Sequence, residues 1–86
     1  MKRDRRRVVF RTRLPELVGQ LEQKEGKPIS QGELGKRVGL SRQTINNWMS
    51  GTITLLDAKA AKRLSEYFEI DWRDLAELVE ENIDQQ

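Results

Sequence analysis

Two helices of about two turns each, joined through a turn too short to let them run side by side, constrain this chain more than anything else in it. Ser30-Gln31-Gly32-Glu33 has the form of a capping box, with the Ser30 hydroxyl able to accept from the Glu33 N–H and the Glu33 carboxylate able to reach back to Ser30. Leu34 and Val38 are the buried pair of this helix, and Gly39 suits the left-handed residue that ends it. Leu40 fills the turn. Ser41 caps the next helix, which runs to about Met49 and stops at Ser50-Gly51. So tight a link forces the second helix to cross the first steeply, the arrangement of a helix-turn-helix. Gly35 fits this geometry. Glycine costs about 0.8–1 kcal/mol in a helix interior, so its presence predicts close approach by another helix backbone.

Other helices surround this pair. Leu14, Leu17, Val18 and Leu21 follow helical spacing, with Thr12 as N-cap, Pro15 in the first turn, and Gly26 and Pro28 as stops. Asp57 caps a fourth helix that turns Ala60, Ala61, Leu64 and Phe68 inward. Asp71 caps a fifth, whose stripe is Trp72, Leu75, Ala76, Val79 and Ile83, with Leu78 on its flank. Val8-Val9-Phe10 is a short strand or a packing segment. The expected fold is therefore all-α: a five-helix domain over residues 14–84, preceded by a basic arm at 1–13. Trp48 is in phase with Ile45 and reads as core rather than as a base-stacking aromatic, and Trp72 reads as core or a subunit contact.

Composition removes several functions. A chain of 86 residues makes one small domain with little room for a deep pocket. With neither cysteine nor histidine there is no disulfide, no thiolate, no common zinc ligand set and no usual acid–base side chain. With no nucleophile–base pair and no phosphate-cradling glycine loop, no enzyme, metal or cofactor is expected. No apolar run reaches the ~18 residues of a membrane span, and Met1–Arg7 leads into too short an apolar stretch for a signal peptide. A cytoplasmic protein without a second, ligand-sensing domain is the expectation.

Charge points to a polyanion. Residues 1–50 hold twelve Lys/Arg against five Asp/Glu, whereas residues 51–86 hold four against nine. From Leu34 through Leu56 there is no carboxylate, although the chain has 14. On a wheel of about 100° per residue the third helix buries Ile45, Trp48 and Met49 and turns out Gln43, Asn46 and Asn47, flanked by Arg42 and Thr44. Arg matches guanine O6/N7, and Gln or Asn matches adenine N6/N7, in the major groove.

Residues 31–51, QGELGKRVGLSRQTINNWMSG, resemble the helix-turn-helix of the lambda-repressor/Cro-type family of bacterial and phage regulators at Gln31, Leu34, Gly35, Val38-Gly39, Ser41, Ile45, Trp48 and Gly51. Residues 52–75 more loosely resemble its fourth and fifth helices, so the likeness covers about residues 12–80. The resemblance implies that Arg42, Gln43 and Asn47 face base edges, and the wheel adds Asn46. It implies that Gln31 meets phosphate at a helix N-terminus, where N–H groups and the dipole favour an anion. It places Ser50, Thr52 and Thr54 along the DNA backbone, with Thr44 on the flank of the reading face. The chain departs from the pattern with Gly32 and Gly35, where alanine or glutamate is commoner and Gly35 keeps only the small size, with its long basic arm, and with Ser50, where the family shares Asn or Glu.

The expected partner is double-stranded DNA, a palindromic operator bound by a homodimer acting as a repressor. An antitoxin-type autoregulator, with a cognate toxin as further partner, would use the same helices. A protein-binding adaptor would instead need acids or large apolars on the outer face of the third helix. Arg5, Arg6 and Arg7 of the arm track phosphate or enter the minor groove, contact an acidic protein, or form a solvated tail. Leu78, Val79 and Ile83 on the fifth helix are the expected dimer interface, with Val8-Val9-Phe10 pairing with its twin as the alternative.

Overall fold

The structure is a computed structural model that describes residues 6–82. The order is β1 (Arg6–Thr12), α1 (Leu14–Glu25), α2 (Gln31–Val38), α3 (Arg42–Met49), β2 (Thr52–Ile53), α4 (Ala58–Phe68), α5 (Trp72–Leu75) and β3 (Ala76–Asn82). Among the described residues five helices pack around Leu14, Leu34, Ile45, Trp48, Leu64 and Leu75, all essentially excluded from solvent. Against them lies a three-stranded antiparallel sheet in the order β2-β1-β3. The fold is thus mostly helical rather than all-α. Among the described residues no helix is long and apolar enough to cross a membrane.

The caps of α2 to α5 fall where the side chains place them. Ser30 Oγ accepts from the Glu33 N–H at 3.1 Å and Ser41 Oγ from the Thr44 N–H at 3.1 Å. Asp57 accepts from Lys59 and Ala60, and Asp71 from Arg73. Side-chain and backbone N–H bonds from Arg73 hold the Asp71 carboxyl down to about 2. The capping box does not close as expected, because the Glu33 carboxylate turns to Arg37 Nε at 3.1 Å. Arg37 also makes two bonds to Glu25, at 2.6 and 3.0 Å, and reaches the Tyr67 hydroxyl at 3.3 Å. It thereby ties α2 to the end of α1 and to α4. The Glu25 carboxylate, then the Tyr67 and Glu33 oxygens, raise the guanidinium's pKa, and Arg37 lowers that of Glu25 in return.

Gly39 ends α2 at φ 84° and, with Leu40, donates to the Gly35 carbonyl at 2.7 and 2.9 Å. This folds the turn back over Gly35, where a Cβ would lie 2.6 Å from the Leu40 carbonyl oxygen. The expected close approach is present, but the turn makes it and not another helix. Gly35→Ala would gain about 1 kcal/mol of helix propensity and lose more to backbone overlap, for an expected net loss of about 1–2 kcal/mol. Urea unfolding checks this, and a stabilised variant would show that the turn relaxes freely.

Two expectations fail at the ends of the described chain. Thr12 is not the cap of α1; Arg13 holds that position without a side-chain cap bond. Thr12 closes β1, is buried, and donates its hydroxyl to the Trp48 carbonyl at 2.5 Å. The fifth helix stops after four residues, and Ala76 turns extended at φ −137°, ψ 124°. The cause is β1. The Arg13 N–H takes the Leu75 carbonyl at 2.8 Å, and β3 then pairs with β1 from Thr12↔Ala76 to Arg6↔Asn82. In that register Arg7, Val9 and Arg11 stand opposite Glu81, Val79 and Glu77. Opposite charges and β-branched pairs across an antiparallel ladder each stabilise it, which outweighs the helical preference of 76–82.

Candidate nucleic-acid interface

The capped turn sets α3 with Ile45 and Trp48 buried and Met49 half-buried, and with Arg42, Gln43, Asn46 and Asn47 exposed. Thr44 is half-buried, and its hydroxyl lies 2.9 Å from that of Ser41. Gln43 Nε2 donates to Asn47 Oδ1 at 3.1 Å, so two amides one turn apart brace each other on the outer face. Such bracing reduces the side-chain freedom that either amide would lose on meeting a ligand.

Two concavities flank that face. One, of about 410 Å³, is lined by Gln31, Arg42, Gln43 and Asn46, so the first residue of α2 meets the outward residues of α3. Helix geometry leaves the Gln31 and Gly32 N–H groups without an intrahelical acceptor beside it. The other, of about 420 Å³, brings Thr44, Asn47, Ser50, Thr52 and Thr54 together with Leu55. The acid bordering it, Asp57, is occupied in capping α4. Ser50 differs from its neighbours because its hydroxyl donates to the carbonyls of Asn47 and Thr52, at 2.6 and 2.9 Å. It serves the turn, and a phosphate contact would have to break it out.

The basic arm is placed differently from expectation. Arg6 and Arg7 belong to β1, the middle strand of the sheet, and Arg5 lies outside the described residues. Arg7 Nη2 and Nε both donate to Glu81 Oε1, at 2.9 and 3.1 Å, so this guanidinium already has an anion. Val8-Val9-Phe10 pairs with β3 and β2 of its own chain. The interface expected on helix 5 loses its basis: Leu78 and Val79 follow one another on a strand and project from opposite faces, and Ile83 lies outside the described residues. Trp72 is half-exposed and not core. Sequence reasoning missed Val8 and Leu55 as exposed apolars. For Val8 the signal was available in the alternation of Arg7, Val9 and Arg11, which sends it to the other face.

The sequence profile of the helix-turn-helix family matches residues 25–75, more than half of the chain, and spans α2, the turn and α3. The solution structure of the SOS-response transcriptional repressor LexA from Eubacterium rectale is similar. It is 28% identical with a TM-score of 0.50, and the match covers 84% of this chain and 69% of that one. No curated protein matches. A matched profile laid over two capped helices joined by a tight turn leads to one conclusion: the chain belongs to the lambda-repressor/Cro-type helix-turn-helix family of DNA-binding transcriptional regulators.

Proposed function

We propose that the protein is a sequence-specific repressor that inserts α3 into the major groove and binds a palindromic operator as a homodimer. The observation that carries this reading is the grouping of Gln31, Arg42, Gln43 and Asn46 around one concavity, with Asn47 braced beside them and no carboxylate between Leu34 and Leu56. Arg42, Gln43, Asn46 and Asn47 carry the donors and acceptors that base edges require. Gln31 and the first turn of α2 supply N–H groups for a phosphate, and Thr44, Thr52 and Thr54 supply hydroxyls along the adjoining strand. One such helix reads too few base pairs to find a site in a genome. Two copies related by a twofold axis read half-sites ~34 Å apart.

Selection of bound duplexes from a random pool tests the reading, and an enriched palindrome is expected. On that duplex, alanine at Arg42, Gln43 or Asn47 should cost about 1–3 kcal/mol and relax preference at one base pair. Replacing Gln31 should weaken all sequences about equally. A change of base preference on replacing Gln31, with none on replacing the α3 residues, would reverse the assigned roles.

A further inference from the structure

Gln43 and Asn47 stand one turn apart on α3, where side chains lean toward the helix N-terminus and amides four residues apart meet. Their contact has a direction: Gln43 Nε2 donates to Asn47 Oδ1 at 3.1 Å. Among the described residues neither side-chain amide makes a second hydrogen bond. Asn46, exposed on the same helix, has no such brace. The two braced amides also border different concavities. Gln43 lines the one that holds Gln31, Arg42 and Asn46, whereas Asn47 lines the one that holds Thr44, Thr52 and Thr54. A primary amide carries two N–H donors and one carbonyl acceptor. A free Gln can turn its amide to offer both N–H groups, or one N–H together with the carbonyl. The brace consumes one N–H of Gln43 and points Nε2 toward Asn47, so one N–H and Oε1 are left to offer.

We propose that Asn47 is a positioning residue that sets Gln43 to accept adenine and reject guanine, so that the two amides serve a single base pair. The inference rests on the major-groove reading above and names the base that this part of α3 takes. In the major groove adenine presents an acceptor, N7, beside a donor, the N6 amino group, whereas guanine presents two acceptors, N7 and O6. The braced Gln43, with one donor and one acceptor left, complements adenine. Against guanine its Oε1 would face O6, acceptor against acceptor, and leave a desolvated oxygen unpaired. Taking guanine with both N–H groups would require Gln43 to break from Asn47. The place of Asn47 fits this division of labour, because the threonines it sits among are the hydroxyls assigned above to the DNA backbone, and Gln43 sits with the base-reading side chains.

The test measures binding of the full chain to the selected duplex with each base pair replaced in turn. The wild type should prefer adenine to guanine by roughly 5- to 150-fold at the pair where Gln43→Ala loses its preference. Asn47→Ala should reduce that ratio to about 2-fold or less at the same pair, and the double variant should do no more. Asn47→Asp keeps an oxygen for the Gln43 N–H. It should weaken all sequences alike, through its charge near phosphate, and retain the adenine preference. Asn46→Ala, the unbraced neighbour, should leave that ratio unchanged. Relaxation by Asn47→Ala at a different pair would make Asn47 a reader of its own base and overturn the inference. Loss of the ratio in Asn47→Asp as complete as in Asn47→Ala would overturn it too, because the accepting oxygen would then not be the cause. Either result leaves base recognition by α3 standing. Failure of the random pool to enrich any duplex would remove the major-groove reading itself, and this inference with it.

Discussion

Trp48→Ala is expected to remove about 3–5 kcal/mol of stability, a large share of what the domain has. The indole is 2% exposed and lies in the core that α3 shares with the rest of the helical body. Truncating a buried Trp or Phe to alanine costs about 3–5 kcal/mol through lost burial and the cavity left behind. A domain of this size has about 4–13 kcal/mol in total, at the usual stability per residue. The backbone beside the indole matters as well, because the Trp48 carbonyl accepts the buried Thr12 hydroxyl and so anchors β1. Loss of helical circular dichroism and of DNA affinity should run in parallel. An affinity that falls further than the folded fraction would mean that the indole touches DNA. A stability change below about 1 kcal/mol would mean that it is not core.

Affinity for the operator should fall about 10³–10⁵-fold between about 50 and 200 mM salt, as expected for a dimer that neutralises some 6–10 phosphates. A flat dependence would sink the proposed DNA-binding mode. The same titration separates the parts of the basic N-terminal segment. Arg7 is already neutralised by Glu81, so Arg7→Ala should change the slope little. Removing residues 1–5 takes away Lys2, Arg3 and Arg5 and leaves every described strand residue in place. If these side chains track phosphate, the slope becomes shallower by about 1 for each phosphate no longer neutralised. An unchanged slope would make them a solvated tail.

The helix-turn-helix was legible because local chemistry decides it. Ser30, Ser41, Asp57 and Asp71 each cap the helix that follows, whatever the rest of the chain does. Ile45 and Trp48 set the phase of α3, and with it the outward position of Arg42, Gln43, Asn46 and Asn47. The sheet was not legible in the same way. Trp72, Leu75, Ala76 and Val79 satisfy helical spacing, and Ala, Glu and Leu favour helix, so the local signal pointed away from a strand. A partner distant in sequence reversed it. Arg-x-Val-x-Arg at 7–11 is matched in reverse by Glu-x-Val-x-Glu at 77–81, a correspondence visible only when the two segments are laid antiparallel. The basic arm follows from the same correspondence. Arg7 reads as available to DNA only until the chain's own Glu81 is set opposite it.

The sheet register also orders events in time. Helix contacts such as Gly35 with Leu40 or Asp57 with Ala60 close within a few residues and form on the microsecond scale of helices. Pairing Arg6 with Asn82 must bring together residues 76 positions apart. Loop-closure entropy makes such contacts late in folding. On the ribosome, β1 emerges ahead of β3 and cannot complete their pairing until residue 82 has been made. A nascent chain therefore carries this arginine-rich strand without β3 while residues 13 to 82 are being made. The reversed glutamates of β3 end that interval in the finished protein.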